Sequence, residues 1–475
     1  MKKTLNIAVV SLLLIVASTS CDDFGDKNIN PNNPSIPNSA NLLTGAMRRV
    51  GEVVTDIVPA LYVQQFGDVT YIDESRYKTA IFNYNVYYQV PLVSLQHIIE
   101  LNKNDATKHD IALSGSNNNQ LAVARILKAF YFLWMTDRWG DIPYSEALSG
   151  SANFTPKFDS QADVYRELFK ELKEAAALFD SGKAVQGDVL FNGSAVKWKG
   201  FANSLRVLMA LRISKVDPAT GKKEFVAALA DGVLKATSEN VQYKYIAEAA
   251  NEHPLYNNYI TRNRKDYALS NTFIDYLLSV NDPRLPAMAD KNQLGVYKGV
   301  PYGIFPAQGK PEDFSLAATS MRQQSSAVNV LSYAQILFAK AEAVTLGWID
   351  GDAKAFYEEA IKSSMEQWGV FNASAFSAYI AQPKIAFKND KALEQIATQR
   401  WVALFYQGSE AWAEWRRTGY PVLIPAQVPL NGVAEIPRRM AYPVTEVSLN
   451  EIHYKEVIAR QGKDDQYSRI WWDKK

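Results

Sequence analysis

The residues whose types and spacing suggest chemistry in this chain are aromatic side chains set among polar ones. Tyr71, Arg76, Tyr77, Asn83, Tyr84, Tyr87 and Tyr88 fall within residues 67–90, a stretch with no helical or strand periodicity. A second irregular stretch, residues 241–266, carries Tyr256, Asn258, Tyr259, Arg262 and Asn263, with Tyr267 directly after it. A third, residues 290–328, carries Tyr297, Tyr302, Phe305 and Gln308. An aromatic ring stacks on the apolar C–H face of a sugar, while Asn, Gln, Asp and Arg bond its hydroxyls. All three stretches supply both kinds of group, which points to capture of a neutral, hydroxyl-rich ligand. The binding residues expected from this pattern are Tyr71, Arg76, Tyr77, Tyr84, Asn258, Arg262, Asn263, Tyr297, Tyr302 and Phe305. For any one of these tyrosines taken alone, pinning its loop to the scaffold is the commoner role.

Groups suited to breaking bonds do not assemble in the same way. His97, His109, His253 and His453 are scattered, none in a metal-ligand spacing, and His253 reads as a solvated loop histidine. There is no phosphate loop and no G-x-S-x-G elbow. Ser194 to Lys197 matches S-x-x-K formally, without the partner motifs that would give the match meaning. Asp26, Asn28 and Asn30 imitate the start of a calcium loop, but Pro31 stands where the sharp turn needs glycine and no Glu follows at the twelfth position. The expectation is a binding protein with no catalytic residues, no metal site and no cofactor, a loop-bracing calcium staying open. A surface glycan hydrolase is the remaining enzyme reading, because its carboxylate pair would come from distant segments.

Helices must position these loops. In residues 329–369, Leu331, Ala334, Phe338 and Ala341 share one helical face, and Ala353, Tyr357, Ala360, Ile361, Ser364 and Met365 share another. Gly347 is placed to end the first helix and Asp350 or Asp352 to cap the second. The spacing is similar to a tetratricopeptide unit, whose apolar face is buried only when other pairs stack on it. Further helices are expected over residues 40–66 (interrupted near Pro59), 91–102, 120–139, 160–179, 193–215, 222–237, 270–280 and 390–406, the last continuing through GSEAWAEWRRTGYP. Short strands fit only residues 241–246 and 420–430. The fold class is therefore mainly α, with stacked helix hairpins and long irregular loops on one binding side.

Lys2 and Lys3, an apolar run from Leu5 to Ala17 and the small residues Ser18 to Ser20 make a signal peptide rather than a spanning helix. Cys21 follows directly and is the only cysteine, which excludes disulfides. Its position resembles the lipobox of bacterial lipoproteins, where the cysteine becomes the lipidated first residue. The organisation expected is a signal peptide over 1–20, a lipidated Cys21 with an extended tether over 21–40, and one α-helical domain over 41–475. Lys and Arg number 51 against 50 Asp and Glu, so neither nucleic acid nor an anionic membrane surface is indicated, and membrane contact is through the lipid alone.

Taken in order, RILKAFYFLWMTDRWGDIPYSEAL, PKFDSQADVYRELFKELKEAAALF, VKWKGFANSLRVLMALRIS, NDPRL, LSYAQILFAKAEAVTLGWI, QRWVALFYQGSEAWAEWRRTGYP and IPRRMAYP resemble the SusD/RagB outer-membrane lipoproteins of Bacteroidetes. The resemblance spans about residue 28 to the C-terminus. It implies a surface-exposed nutrient-binding lipoprotein on tetratricopeptide-like helix pairs. It further implies a SusC-like TonB-dependent transporter as partner, with oligosaccharide, or peptide in a RagB-like member, as ligand. Arg416 and Arg417 in these blocks read as scaffold, stacking on indoles and bonding helix-end carbonyls.

Overall fold

The structure is a computed structural model and describes residues 37–79 and 82–474; the signal peptide, Cys21 and most of the tether lie outside the described residues. Residues 39–475 form one compact unit. Its frame is a run of helices packed in chain order: α1 (Ser39–Met47), α2 (Val93–Lys103), α3 (Asn117–Trp139), α4 (Gln161–Ala177), α5 (Ala195–Arg212) and α6 (Pro218–Asp231). α7 (Tyr333–Thr345) packs on α5, pairs with α8 (Ala353–Gln367) and contacts α9 (Ala392–Ala403), which leads into α10 (Gly408–Thr418). The starts are written in short polar side chains. Ser116, Ser160, Ser194, Asp217 and Asp352 each accept a backbone N–H of the first turn, relieving donors that a helix leaves unpaired.

α3 is buried nearly all round, with Leu127, Phe130, Tyr131, Trp134 and Met135 in the main core. One face of α7 (Ala334, Leu337, Phe338 and Ala341) joins α8 in a second apolar cluster with Tyr379, Ile385 and Ile396, while Ile336, Ala339 and Ala343 on its other side belong to the main core. α7 thus links the two clusters. Between the helices runs a buried ionic network. Arg212 of α5 bonds Asp137 of α3 and Glu410 of α10, and Arg400 of α9 bonds Glu414. Arg417 of α10 grips Glu342 of α7 at 2.5 and 2.7 Å and Glu414 at 2.7 Å. Burial pushes the Glu414 carboxyl up, but Arg417, Arg400 and Arg212 outweigh it and hold the group well below the usual carboxylate range. Arg416 stacks as expected, 3.7 Å over Trp412 and 4.7 Å from Trp472, and donates to the Trp412 and Arg438 carbonyls. Arg417 does not share that role; its partners are carboxylates.

Several boundaries differ from the sequence reading. The first helical stretch breaks after Met47 and at Thr55, not at Pro59, which sits in the first turn of Ile57–Tyr62 where no intrahelical bond is lost. A further helix, α11 (Glu451–Gln461), follows where the sequence suggested only tail. Residues 420–430 form no strand, whereas Val241–Lys244 pairs antiparallel with Ala327–Leu331.

Candidate ligand-binding face

The three aromatic loops leave from one backbone seam. β1 (Phe66–Asp68) pairs antiparallel with β2 (Tyr267–Leu269), and Val69 N–H continues the pairing to the Asp266 carbonyl at 2.8 Å. Ser270 and Val300 form a parallel bridge, fixed by Val300 N–H to Leu269 O at 2.8 Å and Asn271 N–H to Val300 O at 2.9 Å. Loop one (67–90), loop two (241–266) and loop three (290–328) are therefore anchored side by side. The approach needs glycine: a Cβ on Gly299 would lie 2.4 Å from Asn271 N, and one on Gly67 would lie 2.8 Å from Val300 Cγ1. Val69, Ala268, Val300 and Phe314 make a small apolar cluster at the seam.

A fourth segment that the sequence reading missed, residues 419–433, lies against loops one and three. Arg76 Nε donates to Val428 O at 2.8 Å, Leu430 N–H to Arg76 O at 2.8 Å, and Val428 N–H to Gly303 O at 3.2 Å. Val422 and Ile424 are left 80% and 76% exposed. The signal was present in PVLIPAQVPL, an apolar run punctuated by three prolines that suits neither a helix nor an inner strand.

Beside the seam is a cavity of about 290 Å³ lined by Thr55, Ile57, Asn257, Asn258, Arg262, Arg264, Asp266, Tyr267 and Tyr406. Asp266 accepts from Asn258 Nδ2 and pairs with Arg264 Nε, both at 2.8 Å, which leaves its other oxygen buried without a partner. The Arg264 guanidinium lies 5.2 Å from the Tyr71 ring centroid. Asn257–Thr261 is a π-turn, and Tyr406 is held at φ +66°, a backbone region costly for a bulky residue; both features concentrate at functional sites. Burial raises the Glu74 carboxyl, which accepts from Tyr267 Oη at 3.3 Å, and pushes the Asp68 carboxyl up to about 8.

The structure thus brings Asn258 and Arg262 onto one cavity, with Tyr71 reaching it through Arg264, while Asn263 is exposed and outside the cavity lining; Arg76 and Phe305 meet each other, the guanidinium 4.7 Å from the ring centroid. Tyr297 is half-buried, with Lys291 Nζ 5.6 Å from its ring centroid. Three expected residues are corrected. Tyr77, Tyr84 and Tyr302 are buried, so none offers a ring face to a ligand at the loop seam. Tyr77 Oη accepts Ala426 N–H at 2.8 Å, burial pushes its pKa up to about 12, and its ring meets Tyr62 edge-on. Tyr84 stands edge-on to Trp139 at 5.1 Å in the main core. A tyrosine buries a large apolar area, and in a loop that gain is taken against the scaffold wherever the backbone brings the ring within reach. His253 is also corrected. It is fully buried between Tyr245 and Tyr406, its Nδ1 accepts Leu255 N–H at 3.2 Å, and burial pushes its pKa down to about 4.

Residues 31–443 match a SusD-like family described as starch-binding and associating with the outer membrane. The chain belongs to the SusD-like family. Solved structures agree. A chitin-binding protein superposes with a TM-score of 0.81 at 29% identity, covering 92% of this chain and 100% of that one. A SusD homolog from Bacteroides fragilis gives 0.78 at 26% identity over 92% and 100% of the two chains. A chitin-binding SusD homolog from Flavobacterium johnsoniae gives 0.73 at 25% identity over 92% and 98%. No curated protein matches. The mainly α, hairpin-stacked architecture expected for a SusD-like chain is the one observed, and among the described residues no helix is long and apolar enough to cross a membrane.

Proposed function

We propose that this SusD-like protein captures neutral oligosaccharide at the loop face, without breaking a bond, and passes it to a SusC-like TonB-dependent transporter. The observation that carries the reading is the seam: it gathers three aromatic loops onto one side, where Tyr71 and Phe305 stand 66% and 63% exposed, each backed by an arginine. A ring held on one face by a guanidinium keeps the other face for a sugar, and little side-chain freedom is lost on binding. Formal charge near zero suits a neutral ligand. Two structural relatives are named as chitin-binding, so chito-oligosaccharides are the first class to try. Cys21 is the proposed lipid attachment point, with the body facing the cell exterior.

Calorimetric titration of the mature protein with chito-, malto- and xylo-oligosaccharides and with short peptides tests the reading. Saturable binding of one glycan series supports it. Binding of peptides alone, or release of reducing ends in proportion to protein, overturns it. Detergent phase partition that is lost in Cys21→Ala supports the anchor, and unchanged partition refutes it.

A further inference from the structure

A second cavity, of about 330 Å³, opens between the π-turn Tyr88–Leu92, residues 143–156 after the third helix, and the helix pair Val444–Leu449 and α11. Its size is at the lower end of small-ligand pockets, roughly 300–1,000 Å³, which is room for one ring rather than a chain. Its polar floor is incompletely bonded. Tyr84 lines it with a fully buried ring whose hydroxyl lies beside Glu446 and completes no hydrogen bond of normal geometry. Asn450, 6% exposed, donates through Nδ2 to Pro156 O at 2.8 Å; this fixes the amide and leaves Oδ1 buried without a partner. Buried polar atoms left unpaired are costly, and native folds keep few of them without a partner to come.

The mouth has the opposite character. Phe154 and Leu449 stand 81% and 72% exposed at the rim, from two separate elements. No Lys or Arg lines the cavity, so nothing there would hold an anion, and burial raises the Glu446 carboxyl toward its neutral form. The floor offers hydrogen-bond acceptors and the rim offers apolar contact. Each of the two π-turns among the described residues walls one of these two cavities, and such turns recur at functional sites.

We propose that this pocket is a second ligand site, taking a single uncharged sugar ring with its hydroxyls on Tyr84, Glu446 and Asn450 and its apolar face on Phe154. The assignment stands on this pocket alone and holds whatever the loop face binds.

Saturation-transfer NMR titration of the mature protein with N-acetyl-D-glucosamine and with D-glucose tests it. Saturable binding of at least one of them is expected. Phe154→Ala should weaken it roughly fivefold or more. Leu449→Ser, on the other wall, should weaken it in the same direction, and both variants should keep the parent melting temperature because both side chains are exposed. Absence of saturable binding by either sugar, binding untouched by both variants, or binding removed instead by Phe305→Ala would overturn the proposal.

Discussion

Arg76 holds its guanidinium 4.7 Å from the centroid of the Phe305 ring while its Nε is tied to the Val428 carbonyl. The cation is 8% exposed and the ring 63% exposed, so one aromatic face is fixed from behind and the other meets solvent. Phe305→Ala and Tyr71→Ala should each weaken oligosaccharide binding by about 1 kcal/mol, roughly fivefold, with the melting temperature unchanged. Calorimetry beside a thermal melt checks both halves.

Gly299→Ala would set a methyl group 2.4 Å from the Asn271 backbone, where no side chain can swing away. The substitution should cost about 1–3 kcal/mol in stability and weaken ligand binding as loop three is pushed off the Ser270–Asn271 backbone at the end of β2. Gly45→Ala is the control. It lies in α1 with nothing within 4 Å of the new Cβ, so it should be neutral or stabilising by about 0.5–1 kcal/mol. Denaturant titration distinguishes the two.

Arg417→Ala removes the bidentate partner of Glu342 and one partner of Glu414, both almost fully buried. Leaving such carboxylates under-compensated should cost about 3–5 kcal/mol. The loss should appear in chemical denaturation and leave the affinity of the surviving folded fraction intact, because the network lies between helices and not on the loop face.

His253 gives a pH signature. Its ordinary pKa of 6.5 is pushed to about 4 by burial, so between those values the unfolded chain binds the extra proton and the folded chain does not. Stability from this group is complete above about 6.5 and is lost as pH falls toward 4, by about 3 kcal/mol in all. Asp68 runs the other way: burial raises it from 3.8 to about 8, so its contribution is present at low pH and is lost as pH rises through about 8. The two slopes oppose each other from pH 4 to 6.5. The measurement that separates them is therefore the stability difference between His253→Asn and the parent, which should shrink as pH is lowered through that window.

The helices and their caps were legible from local rules. Asp352 accepts Lys354 N–H at the start of α8, and Gly347, at φ +66°, follows the end of α7, because capping depends on residues within one turn. Membership of the aromatic loops was legible for Tyr71, Arg76, Asn258, Arg262 and Phe305. What was not legible depended on contacts made across hundreds of residues. Tyr77 is buried because Ala426 and Tyr62 meet it, and Tyr84 because Trp139 does. His253 read as solvated because a loop looks polar in sequence, and Tyr245 and Tyr406 arrive on it from distant segments. α11 escaped notice because only Val457 in it is buried, too thin a stripe to show a period.

The loops are joined through main-chain atoms: three paired residues in β1 and β2 and one bridge at Ser270–Val300. Junctions made of peptide groups are indifferent to what side chains lie farther out. Segments beyond Val69 or Val300 can be lengthened, shortened or rewritten while the junction and the helices beneath it stay as they are. The junction tolerates such changes so long as Gly67 and Gly299 stay as they are, because a Cβ on either would crowd the facing segment.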